Sequence, residues 1–455
     1  MELKSIKIKQ LFGLFDYTIE LNQDNDLTIL TGPNGYGKTT ILNIIYNLFN
    51  QRFFYFQKLN FELLSFYFAE GQRIDVTRKK RTERREQIQF IDDIQQNIVS
   101  QDVETIDIQI NLFFDNNLVD TFLYDHELEN RLAQNLRRYF PIRQLTPDLW
   151  FDERTGKQIT LNEFLNENNN QLPERIITLI KKQGDKNTQI LQLLGKTNVY
   201  LIKEQRLLKQ QVLENNRNYN SNVSFINTIE EYSKELKHII EQKQLEAYQI
   251  AQQLDSSFPK RLIENKELLS ETEFNARFAQ LRKKQEQLQT FGIATTKQDV
   301  TEYNREEARV LTVYLVDSEK KVSVYDDLLS KIELFVNILN EKRFAFKSIV
   351  INGVHGFYFQ SNNGQRLNLT DLSSGEQQEV VLLYELLFKT NPNTLILIDE
   401  PEISLHVMWQ KAFIQDLLRI AKIKQISFLV STHSPQIIND KWDLAHDLFN
   451  LAKVN

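Results

Sequence analysis

The sequence predicts an α/β fold: a head of mixed and parallel sheet with flanking helices and an added antiparallel β layer, interrupted by an inserted helical, coiled-coil-like arm. Three observations predict it. A short apolar run, Leu27 to Thr31, passes through a Gly-rich loop into residues with apolar side chains at helical spacing, a strand–loop–helix unit. Apolar runs recur far down the chain, at Leu395 to Ile398 and Ile426 to Val430, as strands buried on both faces of a parallel sheet require. Between these landmarks, residues 206–346 hold almost no Gly or Pro, abound in charge and repeat apolar residues three and four apart.

The elements follow in order. Residues 3–21 alternate around Ile6 and Ile8, and a second β-rich stretch, Tyr17 to Leu21, follows the turn at Gly13, which together read as a hairpin. The helix after the Gly-rich loop carries Ile41, Ile44, Ile45, Leu48 and Phe49 on one face. Phe61 to Val76 and Thr105 to Phe114 return to β-branched and aromatic residues and complete the antiparallel layer, joined by a charged connection, Arg78 to Arg85. A helical stretch near Glu127 to Tyr139, a hairpin around Asp152 to Gly156 and a strand at Val199 to Ile202 lead to the arm. There Ile229, Leu236, Ile240, Leu328, Ile332 and Leu339 keep helical spacing. Pro259 and Gly292 place the turn of an antiparallel arm between Ser256 and Thr296, and a compact helical subdomain is the alternative packing. Strands at Ile349 to Asn352 and Gly356 to Gln360 and a helix from Ser373 to Lys389 come next. The apolar strand Leu395 to Ile398, a helix near Trp409 to Ala421 and the strand Ile426 to Val430 close the pattern. The expected division is 1–205 for the N-terminal half of the head, 206–346 for the arm and 347–455 for the C-terminal half.

A chain of 455 residues exceeds what one hydrophobic core usually organises, consistent with a head and a second element. The net charge of −6 and a pI near 5.7 argue against bulk-electrostatic nucleic-acid binding, so DNA would have to engage a local patch such as Arg78 to Arg85. There is no cysteine, which excludes disulfides and thiolate zinc sites and fits a reducing compartment. Met1 to Gln10 lacks the apolar core of a signal peptide, and no run approaches the roughly 20 apolar residues of a membrane helix. The expectation is a cytoplasmic protein with no membrane partner.

Gly32, Pro33, Asn34, Gly35, Tyr36, Gly37, Lys38 and Thr39 match the P-loop pattern, after a buried strand and opening a helix, with Thr40 next in line. Glycines let backbone N–H groups and the helix N-terminus face phosphates, Lys38 reaches the β- and γ-phosphates, and the Thr39 hydroxyl ligates Mg²⁺. The strand Leu395 to Ile398 delivers Asp399, suited to hold Mg²⁺, and Glu400, placed to polarise an attacking water as general base. ATP and Mg²⁺ are therefore the expected ligands. Phe12, Phe15 and Tyr17 could stack on adenine or belong to the core. His126, His238, His355 and His446 show no metal-ligand spacing.

Leu372, Ser373, Ser374, Gly375, Glu376 and Gln377 resemble the signature motif of ABC-type ATPases, although a plain capping box would give the same Ser and Glu. The resemblance implies that Ser373, Ser374, Gly375 and Glu376 meet the γ-phosphate held by the opposite subunit, so that two heads sandwich two ATPs. Ser431, Thr432, His433, Ser434 and Pro435 resemble the switch-histidine segment, which puts His433 near the γ-phosphate. The family's glutamine loop, a Mg²⁺ and water contact, maps onto Gln205. Asp399 to His406 resembles the extended Walker B stretch of RecF- and OLD-like members, with Val407 where many have proline. Lys38 and Ser373 are separated by most of the chain, the layout of SMC, RecF and OLD heads rather than transporters.

OLD nucleases carry a Toprim domain after the ATPase, whereas few residues follow His433, so any nuclease is expected on another chain. Leu11 to Gly13, Tyr384 to Lys389 and Ser431 to Ile438 make the whole pattern similar to the ATPase subunits of PARIS-type anti-phage systems. That likeness implies slow ATP turnover and a homo-oligomer built from head-to-head ATP-sandwich dimers, of higher order. It also implies a separate Toprim-type effector nuclease, released when a phage-encoded trigger protein is sensed. A RecF-like DNA clamp and a Septu-type ATPase paired with an HNH nuclease are the alternatives.

Overall fold

A computed structural model describes residues 2–92, 95–124, 132, 134–146, 149–154, 156–159, 161, 164, 173, 188–202, 208–212, 223–265, 268–293, 303–342, 344, 346–403 and 405–454. The chain forms two compact units, Met1–Lys203 with Asn391–Glu402 and Gln425–Asn455, and Glu204–Thr390 with Ile403–Lys424.

In the first unit a five-stranded, all-parallel sheet runs in the order Asn198–Ile202, Thr394–Asp399, Ser427–Ser431, Leu27–Thr31, Ala445–Asp447. Its central strands are buried almost throughout, which is why they read as unbroken apolar runs. A seven-stranded antiparallel sheet contains the expected hairpin, Leu3–Leu11 with Phe15–Glu20. The helix Lys38–Phe49 supplies Ile41, Ile44, Ile45 and Leu48 to one core with Ile6 and Ile8 of that hairpin and Leu30 of the parallel sheet. Four fully buried aliphatic side chains on one helix stabilise this packing by about 6–12 kcal/mol in transfer free energy.

The charged connection expected at Arg78 to Arg85 is instead strand. Gln72–Asp92 and Gln95–Phe114 pair over their whole length, and Lys79 faces the oppositely charged Asp107. Cross-strand charge pairs support a ladder that apolar alternation alone would not announce. The hairpin near Asp152 to Gly156 is present as Leu149–Asp152 with Lys157–Ile159. Of the helical stretch near Glu127 to Tyr139, the described residues 132 and 134–136 are helical and 137–139 form a turn.

Among the described residues the second unit holds five helices of 16 residues or more, Thr228–Glu264, Glu271–Thr290, Ala308–Ser323, Asp326–Glu341 and Val407–Lys424. Pro259 does not interrupt: it lies inside the first helix, and the break comes after Glu264. Pro259 removes the N–H that would meet the Asp255 carbonyl, and in the same turn Ser257 Oγ and Arg261 Nη2 donate to the Gln253 and Leu254 carbonyls at 2.7 and 2.5 Å. Helix Ala308–Ser323 packs against both Thr228–Glu264 and Glu271–Thr290, with Phe274, Leu281, Leu311 and Leu315 forming a small core. The helices are thus not one simple antiparallel pair. Residues Lys347–Asn352, Gly356–Ser361 and Arg366–Leu367 form a three-stranded sheet in the same unit. Gly356, at φ +77°, lies so close to helix Thr228–Glu264 that a Cβ would sit 1.8 Å from the Ser233 carbonyl oxygen.

Candidate functional site

Three neighbouring strands of the parallel sheet end on one spot. The loop Gly32–Gly37 leaves Leu27–Thr31, Asp399 and Glu400 end Thr394–Asp399, and Ser431 to His433 end Ser427–Ser431. Convergence at the carboxyl ends of parallel strands is the general location of ligand sites in such sheets. Gly32, Gly35 and Gly37 have φ of +139°, +89° and +86°, a conformation only glycine adopts without strain. Gly37 caps the helix, so the chain turns from loop to helix with its first N–H groups facing outward. Asn34 and Thr39 are exposed on this loop, and Thr40 is half-buried.

Lys38 is buried, and its ammonium donates to the Gly32 and Pro33 carbonyls at 3.0 and 3.3 Å. Burial pulls its pKa below the ordinary lysine value, opposed by the carboxylates of Glu400, Asp399 and Glu402. His433 lies between lysine and carboxylate, Nδ1 at 3.4 Å from Lys38 Nζ and Nε2 at 3.4 Å from Glu400 Oε1. Thr39 Oγ1 donates to Asp399 Oδ1 at 3.2 Å, and Ser431 Oγ donates to the same oxygen. Thr39, Asp399, Glu400, Lys38 and His433, singled out separately in the sequence, therefore share one site.

Glu400 is held at φ +42°, with its N–H on the Ser431 carbonyl at 3.0 Å. A non-glycine residue in that region carries strain that surrounding bonds must maintain. Sequence reasoning missed Glu402, which accepts the His433 N–H at 2.6 Å and the Thr432 hydroxyl at 2.8 Å. The only signal was its place two residues beyond Glu400. Tyr17 is in the core, its hydroxyl donating to the Tyr36 carbonyl at 2.9 Å, and Phe15 packs on Tyr36 with ring centroids 5.2 Å apart. Phe12, 39% exposed, is the most open of the three aromatic candidates and lies beside Gly37. Gln205 lies outside the described residues. Among the described residues no cluster of three or more His, Cys, Asp or Glu could hold a metal by itself.

In the second unit Ser373 is the N-cap of helix Ser374–Tyr384, and a capping box is formed. Ser373 Oγ accepts the Glu376 N–H at 3.4 Å while Glu376 Oε2 accepts the Ser373 N–H at 2.8 Å. Ser373 and Ser374 are exposed, and nothing lies within 4 Å of where a Gly375 Cβ would be, so the helix N-terminus is open. The helix continues as a π-turn, Glu385–Lys389.

A family model described as an AAA ATPase domain, AAA_15, matches residues 1–438. No curated protein matches the chain. Among solved structures, the Smc head domain with an extended coiled coil from Pyrococcus furiosus, bound to the C-terminal domain of ScpA, is 13% identical. That comparison covers 100% of this chain and 96% of that one at a TM-score of 0.34. The SMC head domain from Thermotoga maritima is 11% identical, covering 98% and 92% at 0.32. An SmcHead bound to the C-winged helix domain of ScpA is 9% identical, covering 100% and 98% at 0.34.

Proposed function

The chain belongs to the AAA_15 family of AAA ATPase domains, and from that premise we propose that it binds ATP with Mg²⁺ and hydrolyses it slowly. One observation carries this reading: Lys38, His433 and Glu400 form a continuous chain of contacts of 3.4 Å beside the Thr39–Asp399 pair. Lys38, exchanging its loop carbonyls for phosphate oxygens, binds the β- and γ-phosphates. Residues 32–37 and Thr40 line the phosphates through backbone N–H groups and the helix N-terminus. A hydroxyl and a carboxylate oxygen side by side are the hard donors Mg²⁺ takes beside phosphates and water, so Thr39 and Asp399 fit as its holders. Bound there, Mg²⁺ supplies neutralisation of phosphate charge. Glu400 acts as general base on the attacking water, and His433 orients on the γ-phosphate. Gln205 completes the Mg²⁺ and water contacts, and Phe12 is the adenine platform.

The signature reading assigns Ser373, Ser374, Gly375 and Glu376 to the γ-phosphate of a second copy, giving head-to-head dimers. On the resemblance to PARIS-type ATPase subunits, the assembly is a cytoplasmic anti-phage sensor and scaffold of higher order. It holds a separate Toprim-type effector nuclease and releases it when a phage-encoded trigger is detected. The strand carrying Arg78 to Arg85 favours a second reading, a RecF-like clamp on DNA. Copurification separates the two: tagged Glu400→Gln protein is isolated from its native host under ATP and weighed by light scattering, with companions identified by mass spectrometry. A stoichiometric nuclease in a large assembly supports the scaffold, whereas a bare dimer carrying DNA overturns it.

A further inference from the structure

A glutamate in the first turn of a helix proposed to receive a phosphate poses an electrostatic problem. Helix N-termini attract anions, but an ionised carboxylate among the same N–H groups repels them. Glu376 is in that position, its side chain buried and its Oε2 tied to the Ser373 N–H at 2.8 Å. Lys347 Nζ lies 2.9 Å from its Oε1 and 2.8 Å from its Oε2, bridging the carboxylate. One turn further along the helix, Glu379 is met by Lys342 at 2.5 Å. Two lysines of one short segment thus grip two acidic residues of one helix face.

We propose that Lys347 is a positioning residue for the signature helix: it neutralises Glu376 and locks the capping box, so that the open N-terminus faces an incoming phosphate. This rests on the signature reading above. Ser373 Oγ accepts from the Glu376 N–H, which closes the capping box. Burial alone would raise the Glu376 carboxyl, but Lys347 and the Ser373 amide and hydroxyl bring it below its ordinary value. The carboxylate is therefore ionised and needs the Lys347 charge beside it. Lys347 is the first residue of strand Lys347–Asn352, and its backbone N–H donates to the Phe344 carbonyl at 2.9 Å, so the ammonium is presented from a fixed base.

The test uses the full chain carrying Glu400→Gln, with two readouts: affinity for a fluorescent ATP analogue, and the ATP concentration that half-assembles the dimer by light scattering. Lys347→Met is expected to leave nucleotide affinity within about twofold and to raise the assembly concentration about tenfold or more, as loss of a charge-assisted pair implies. Adding Glu376→Gln to Lys347→Met removes the unpaired carboxylate and recovers most of the loss, and Lys347→Arg keeps assembly near the parent level. If Lys347→Met assembles like the parent, or the double variant is no better than the single, the inference is overturned. Ser374→Arg in parallel separates the levels. When it blocks assembly and Lys347→Met does not, only the role of Lys347 fails; when it does not block, the signature reading fails and takes this inference with it. Circular dichroism and the nucleotide affinity identify any variant that has lost its fold, and Lys347→Arg with the double variant then decide.

Discussion

Glu402 offers the sharpest test of the site, because its carboxylate accepts from two successive residues of the His433 segment. The bonds are 2.6 Å to the His433 N–H and 2.8 Å to the Thr432 hydroxyl, and Thr432 is fully buried. Hydrogen bonds to a charged group contribute about 1.5–3 kcal/mol each. Glu402→Ala removes both acceptors and leaves the backbone of the histidine unanchored, while the ring still has to fit between Lys38 and Glu400. A displacement of about 1 Å at a catalytic group costs roughly a hundredfold in rate, or near 3 kcal/mol, which the two lost bonds can supply. Glu402→Gln keeps one acceptor oxygen and should fall between, about tenfold below the parent. The assay is steady-state ATP turnover with nucleotide affinity measured separately. We expect kcat to drop in the order parent, Gln, Ala, with affinity changed less than about threefold. An alanine variant within threefold of the parent kcat would refute the view that Glu402 sets the histidine.

Further outcomes follow from the same geometry. Lys38→Ala should abolish nucleotide binding in a fluorescence titration, whereas Glu400→Gln should bind ATP and accumulate as a dimer by light scattering; equal turnover in Glu400→Gln and the parent removes the general-base assignment. Gly356→Ala should destabilise by at least about 3 kcal/mol in denaturant unfolding, because φ +77° and a carbonyl 1.8 Å from the new Cβ leave it no room. The Lys424 amine, buried and donating to the Thr390 carbonyl at 2.7 Å, has its pKa lowered to about 8 by desolvation first and Lys331 second. Between pH 8 and the ordinary value of 10.5 the unfolded chain holds the extra proton, so this group makes stability rise with pH, by up to about 3 kcal/mol. Lys424→Met should flatten that rise in urea unfolding between pH 7.5 and about 10, and an unchanged slope would exclude the assignment. Duplex DNA at low salt should leave ATP turnover unchanged, and stimulation that falls steeply with salt would favour the clamp.

What could be read from the sequence was whatever is local. The P-loop is contiguous, and its glycines announce the left-handed backbone seen at Gly35 and Gly37. Asp399 and Glu400 were legible because the strand before them is apolar on both faces, so its end is marked sharply. Glu402 was not, because its two partners lie some thirty residues away and only the pairing of strands Thr394–Asp399 and Ser427–Ser431 brings them together. The charged stretch after Arg78 reads as a connection for want of apolar alternation, although its support is cross-strand, as in the register of Lys79 with Asp107. Pro259 reads as a break because proline disfavours a helix interior, whereas the packed helix runs past it to Glu264.

The least expected feature is a buried charge network in the second unit. Lys342, Glu379 and Asp416 have side chains exposed by only 4%, 1% and 7%, with Lys342 Nζ 2.5 Å from Glu379 and 3.1 Å from Asp416. Burial would lower the Lys342 ammonium, but Glu379 and Asp416 raise it above the ordinary value, while burial pushes the Asp416 carboxyl up against the pull of Lys342. Such a network is a weak source of stability, since desolvating the charges costs about as much as their attraction returns. Its effect is geometric. The three residues come from the end of helix Asp326–Glu341, from helix Ser374–Tyr384 and from helix Val407–Lys424, and Arg419 ties Asp416 to Glu341 as well. An ion pair displaced by a turn leaves a buried charge alone, at about 3–5 kcal/mol. The charges therefore hold one relative setting of the helix that begins at Ser374 and the helix that follows the Glu400 segment. A shift of either is resisted by the other.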